Sequence, residues 1–123
     1  MSDRVLVVDD EADLVASYER LLRRQGYRTI AAGSRHEGLV IIGREPLALV
    51  IADLRLPDGD GLDIVRAARR SPAPIPVVVV TGFASEQSRV AALAVGASAY
   101  LVKPFAASEF SALVEQAVRA GRR

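Results

Sequence analysis

Leu49-Val50-Ile51-Ala52-Asp53-Leu54-Arg55-Leu56-Pro57-Asp58-Gly59-Asp60-Gly61 is the stretch that decides the fold. Its first four residues are apolar without interruption, and the fifth is a carboxylic acid. An unbroken run rich in β-branched residues suits a strand covered on both faces, as in a parallel sheet; a half-exposed strand would alternate. Leu54 to Gly61 is rich in Pro, Gly and Asp and reads as a loop leaving the strand. In an open α/β sheet, the carboxyl end of a strand is where ligands bind.

Working outward, four more runs have the same character: Val5-Leu6-Val7-Val8, Thr29-Ile30-Ala31-Ala32, Val77-Val78-Val79-Val80 and Tyr100-Leu101-Val102. Helical spacing fills the intervals. Leu14, Val15, Tyr18, Leu21 and Leu22 form one stripe, which Gly26 closes. Ser34 and Glu37 have capping-box spacing for a second helix, closed by Gly43. Leu62, Ile64, Val65 and Ala68 mark a third; Val90, Leu93 and Ala94 a fourth, ending at Gly96; Phe110, Leu113, Val114 and Ala117 a fifth, ending near Gly121. Strand followed by helix, five times over, predicts one α/β domain over residues 1–123. Its expected architecture is a single doubly wound, five-stranded parallel sheet of order 2-1-3-4-5 with five helices, flavodoxin-like.

Composition narrows the function. The chain has 123 residues, room for one compact domain, and carries a net charge of +1 that names no partner. It has no cysteine, which excludes disulfides and thiolate chemistry. Arginines cluster as Arg23-Arg24, Arg69-Arg70 and Arg122-Arg123, near predicted helix ends where cations suit the dipole. No aromatics interleave with them, so no direct nucleic-acid contact is expected. No apolar run approaches the roughly 20 residues of a membrane span. The amino terminus lacks a signal-peptide pattern, so a cytoplasmic location is expected.

The chemistry collects at the strand ends. Asp9 and Asp10 follow the first strand, Asp53 the third, Thr81 the fourth and Lys103 the fifth. In the order 2-1-3-4-5 these residues share one crevice. Three carboxylates there would repel one another, and Mg2+, which takes oxygen ligands and shares its shell with phosphate oxygens, removes that cost. A carboxylate can itself become a nucleophile and form an aspartyl phosphate, with Lys103 and the Thr81 hydroxyl contacting the phosphoryl oxygens.

Val7-Val8-Asp9-Asp10-Glu11, Asp53 through Gly61, Val80-Thr81-Gly82, Gly96-Ala97-Ser98-Ala99-Tyr100 and Lys103-Pro104-Phe105 together resemble the receiver domain of bacterial two-component response regulators. The resemblance covers essentially the whole chain. It implies that Asp53 is the phosphoacceptor, that Asp10 binds Mg2+ directly and Asp9 through a water, and that the Arg55 backbone carbonyl supplies a further ligand. It implies that Thr81 is the switch hydroxyl and that Lys103 binds a phosphoryl oxygen, aimed by a cis peptide before Pro104. Tyr100 would be an aromatic switch that turns inward with Thr81. Arg55 and Phe83 occupy positions that flank the phosphoryl group, and Phe83 is expected to slow its hydrolysis. Ala106 departs from the family pattern, in which many members cap the last helix with an acid.

The implied protein is a signalling phosphoacceptor that catalyses its own phosphorylation and dephosphorylation rather than a metabolic enzyme. Its implied partners are a sensor histidine kinase or phosphotransfer protein and a downstream output domain or protein, met through the face of helix 4, strand 5 and helix 5. A homodimer on phosphorylation is a further expectation. The alternative is a pseudo-receiver, a binding module that is never phosphorylated. An aspartyl-phosphate hydrolase would place two acids one residue apart after the first strand, whereas Asp9 and Asp10 are adjacent. A nucleotide-binding domain would need a glycine-rich motif there, and none follows.

Overall fold

The computed structural model describes residues 2–121. Five strands form the central sheet: β1 (Arg4–Val8), β2 (Arg28–Ala32), β3 (Leu49–Asp53), β4 (Val77–Thr81) and β5 (Ala99–Val102). All neighbours pair in parallel, in the order β2-β1-β3-β4-β5. Helices α1 (Ala12–Arg24), α2 (Arg35–Arg44), α3 (Leu62–Arg70), α4 (Glu86–Ala94) and α5 (Ala107–Gly121) make the crossovers. This is the doubly wound, flavodoxin-like arrangement expected from the sequence.

The apolar runs of β1, β3 and β4 are central strands whose residues alternate between two buried faces, and those of β2 and β5 form the edges. Leu6, Val8, Val50, Ala52, Val77 and Val79 meet Ile42 of α2, Ile64, Val65 and Ala68 of α3, and Ala92 of α4. Val5, Val7, Leu49, Ile51, Val78 and Val80 meet Tyr18 and Leu22 of α1 and Phe110, Val114 and Ala117 of α5. Every residue of β3 and β4 is buried, so the strands that carry Asp53 and Thr81 are the most enclosed parts of the chain. Fully burying one Val or Leu side chain contributes about 1.5–3 kcal/mol, which anchors the strand ends firmly.

Local details depart from expectation in three places. Gly43 does not close α2, which runs through it to Arg44. The apolar stripe of α4 faces outward: Val90 and Leu93 are exposed, and Ala92 is the buried contact. Residues 54–61 are not wholly irregular, because Arg55–Leu56 pairs antiparallel with Gly59–Asp60 in a short hairpin. Gly96 has φ +108°, the left-handed conformation a helix end takes when the chain must turn back, and it lets β5 follow α4 closely. Arg23-Arg24 and Arg69-Arg70 do occupy last helical turns; Arg122-Arg123 lie outside the described residues.

Candidate functional site

Three strand ends share one local solution. Asp9 follows β1, and its Oδ1 accepts the Glu11 backbone N–H at 3.0 Å. Asp53 ends β3, and its Oδ1 accepts the Arg55 N–H at 3.1 Å. Thr81 ends β4, and its Oγ1 accepts the Phe83 N–H at 3.0 Å. Short polar side chains that bond a backbone N–H two residues on hold the chain in a turn as it leaves the sheet. The turns also fix each side chain at the mouth of the sheet. One carboxylate oxygen of each aspartate is used locally, and the other faces the crevice.

Those second oxygens converge on one cation. Lys103 Nζ donates to Asp9 Oδ2 and to Asp53 Oδ2, both at 2.9 Å, with a Glu11 carboxylate oxygen farther off at 3.7 Å. The group is well enclosed: side-chain exposure is 1% for Asp9, 8% for Asp53 and 12% for Lys103. Burial pulls the Lys103 pKa down, but the hydrogen bonds it donates to Asp9 and Asp53 outweigh that and hold the ammonium well above the ordinary lysine value. Lys103 itself is set by its backbone N–H, which donates to the Thr81 carbonyl at 2.8 Å, and the Lys103–Pro104 peptide is cis.

One ammonium does not balance this crevice. Asp10, exposed at the rim, completes a cluster in which one oxygen from each of Asp9, Asp10 and Asp53 lies within 4.8 Å of the others. An all-oxygen, partly open donor set suits a hard divalent cation such as Mg2+, which retains waters in its shell.

The remaining expected residues surround this centre. Thr81 is fully buried at the same end of the sheet. The Arg55 guanidinium carbon sits 3.7 Å from the centroid of the Phe83 ring, a cation–π contact between the two flanking positions. Beside them an open cavity of about 540 Å³ is lined by Arg55, Asp60, Thr81, Phe83, Ser85 and Ser88. Tyr100 is half-buried, and its hydroxyl pairs with Ser88 Oγ of α4 rather than with the crevice. Where Ala106 lacks a capping side chain, Glu109 Oε1 accepts the Ala106 N–H at 3.3 Å.

Sequence reasoning missed several supporting residues. Ser85 and Ser88 form a reciprocal capping box at the start of α4; their spacing was visible, but serine replaces the usual Glu or Gln. Asp58 caps α2 from a distant loop, its carboxylate accepting the Arg35 N–H at 2.7 Å and the His36 N–H at 2.9 Å. No local pattern announces a cap delivered from that far along the chain. His36 itself is exposed.

Comparisons with known proteins agree with this fold. The family model for the response regulator receiver domain matches residues 5–115. The transcriptional regulatory protein PrrA of Mycobacterium bovis is 39% identical over 118 residues, covering 96% of this chain and 51% of the relative. The chain thus spans about half the length of that curated relative. A CheY-like receiver domain protein from Methanospirillum hungatei superposes with a TM-score of 0.91 at 29% identity, covering 99% of this chain and 98% of that one. A Burkholderia pseudomallei response regulator, solved with a phosphorylated aspartic acid and a calcium ion, superposes with a TM-score of 0.84 at 28% identity, covering 97% and 70%. The chain belongs to the response regulator receiver domain family.

Proposed function

We propose that this receiver is a phosphorylation-controlled switch in which Asp53 is the phosphoacceptor. The observation that carries the reading is the Lys103 ammonium held between Asp9 and Asp53. A nucleophilic carboxylate and a cation able to meet the incoming phosphoryl oxygens stand within one hydrogen bond of each other. The Burkholderia pseudomallei relative with its phosphorylated aspartic acid lends support.

In the reaction, an Asp53 oxygen attacks the phosphorus of a phosphohistidine on a sensor kinase or phosphotransfer protein. The new P–O bond forms as the P–N bond breaks, and the imidazole leaves with the electron pair and takes up a proton. Lys103 offsets charge on the phosphoryl oxygens, and the Thr81 hydroxyl donates to one of them. Asp9, Asp10, Asp53 and the Arg55 backbone carbonyl would hold Mg2+, which supplies further charge neutralisation in phosphoryl transfer. Hydrolysis of the acyl phosphate by water resets the domain, so residues 1–123 act as one self-contained acceptor unit.

Phosphorylation adds about two negative charges and new acceptor oxygens beside Thr81. Drawing Thr81 inward disturbs the loop that leads to Ser85 and Ser88, and through Ser88 the Tyr100 hydroxyl. The altered surface is the α4–β5–α5 face, where Val90, Leu93 and Val102 are already exposed. An output domain, or a second copy of the chain, would dock there. The relatives' transcriptional role makes a DNA-binding output one candidate.

Intact mass after incubation with acetyl phosphate and Mg2+ tests the reading. Wild type should gain one phosphoryl mass in a Mg2+-dependent manner, and Asp53→Asn should gain none. No gain in wild type would favour the pseudo-receiver, and a gain surviving the substitution would identify a different nucleophile.

A further inference from the structure

Among the described residues, Tyr18 is the one buried titratable side chain that phosphoryl chemistry does not use. Its ring forms a triangle with those of Phe105 and Phe110, at centroid distances of 5.9 and 5.3 Å, and the two phenylalanines are 5.5 Å from each other. The side chain is 1% exposed, and the hydroxyl has no hydrogen-bond partner among the described protein atoms. Packing alone does not call for this oxygen. A phenylalanine would fill the same stack without burying an unmet polar group.

The crevice charges are the ones that act on this hydroxyl. Phe105, one of its stacking partners, lies two residues beyond Lys103. Burial pushes the Tyr18 pKa up to about 12, and the charges bearing on it are Lys103, Asp9, Asp53 and Glu11, the crevice group itself. Lys103 has its own unmet need. Two of its three ammonium protons go to Asp9 and Asp53, and the third faces only Glu11 at 3.7 Å, beyond hydrogen-bond reach. The Tyr18 hydroxyl is thus an acceptor without a donor, and Lys103, whose charge acts on it, keeps a donor without an acceptor.

We propose that Tyr18 is a positioning residue for Lys103: its hydroxyl oxygen accepts the third ammonium proton, after a small side-chain adjustment or through one bridging water, and keeps the ammonium over the crevice when Asp9 and Asp53 take other partners. The contact to Lys103 belongs to the unmodified protein; its persistence during phosphorylation rests on the receiver reading, in which a metal ion and a phosphoryl group would compete for those two aspartates. A neutral acceptor suits the task, because it holds the ammonium without adding another negative charge where a phosphoryl group must arrive.

Lys103 is the only lysine in the sequence, so lysine-specific 15N labelling gives a single side-chain ammonium signal without assignment. The experiment compares wild type with Tyr18→Phe, without metal or phosphodonor, reading the 15Nζ shift and the exchange rate of its protons with water. The expected result is a displaced signal and exchange faster by roughly 12- to 160-fold, the worth of one hydrogen bond to a charged group. The substitution keeps the aromatic cluster, so the variant should stay folded with a thermal midpoint at or below that of wild type. A superimposable signal with unchanged exchange would overturn the proposal and leave Tyr18 as packing. The phosphorylation assay on wild type judges the receiver reading separately, since the lysine signal needs no phosphate. Where wild type is phosphorylated, Tyr18→Phe should slow the gain by a similar factor, and an unchanged rate would overturn the positioning role during transfer.

Discussion

The two loops that flank Asp53 are built on opposite plans. Residues 54–61, between β3 and α3, are pinned from several sides. Asp58 caps the first turn of α2, Arg35 pairs with Asp63 at 2.8 Å, and Gly61 lies against the Asp53 backbone. Residues 82–85, between β4 and α4, have slighter anchors: the Phe83 N–H on Thr81, the Arg55 guanidinium over the Phe83 ring, and the Ser85–Ser88 box. Phe83 is 61% exposed, and the helix that follows turns Val90 and Leu93 to the outside. One side of the crevice is thus a fixed wall, and the other is free to respond. The proposed switch would need both, because a phosphoryl group could move the second loop only if the first held still.

The comparison breaks most sharply at two glycines. A Cβ on Gly61 would stand 2.0 Å from the Asp53 carbonyl oxygen and 2.8 Å from the Leu54 Cα, both main-chain atoms that cannot step aside. A Cβ on Gly82 would meet nothing within 4 Å. Gly61→Ala should therefore cost about 3 kcal/mol, the upper end of overpacking effects, and Gly82→Ala should leave stability within about 0.5 kcal/mol. Denaturant unfolding of both variants reads this directly. Equal costs would mean that the first loop is no stiffer than the second.

How the site was legible in sequence follows the same division. The strand-end residues Asp9, Asp53, Thr81 and Lys103 could be placed because continuous apolar runs show where each buried strand stops. Their chemistry follows from residue type once they share a crevice. The resemblance to receivers then supplied roles for Tyr100, Arg55 and Pro104 that no spacing implies. What stayed hidden was contact between distant segments. Asp58 reads as a turn residue, yet it serves the helix that begins at Arg35. Val90 and Leu93 have core spacing but face outward, because periodicity shows that a helix has an apolar side and not what covers it. The unmet Tyr18 hydroxyl is invisible in a stripe that would read the same with phenylalanine.

The pinned loop can be loosened more gently through Asp58. The His36 N–H, then the Arg35 N–H, hold its carboxyl below the ordinary aspartate value, against a smaller opposing effect of burial. A carboxyl whose folded pKa is depressed contributes stability that is fully present above its unfolded pKa and is lost as pH falls through the folded one. Wild type should therefore exceed Asp58→Asn in thermal midpoint by a constant margin above about pH 5, and the margin should shrink below about pH 4 as the carboxyl protonates. A margin that persists unchanged to pH 3 would show that the charge is irrelevant to the cap.

On the responsive side, Phe83→Ala should scarcely change stability, because an exposed ring buries little area on folding. Its effect should appear in the lifetime of the phosphorylated state. With the ring gone, the Arg55 guanidinium loses the surface it rests on, and the open cavity beside Thr81 admits water more readily. An exposed cation–π contact is worth about 0.5–1 kcal/mol, so the covered arrangement should lose roughly two- to fivefold in population, and autodephosphorylation should quicken by a similar factor. Following loss of the phosphoryl mass with time, after removing acetyl phosphate, measures it. A rate that is unchanged or slower would mean that Phe83 does not shield the phosphoryl group. The second loop would then owe its looseness to the demands of the partner-binding face alone.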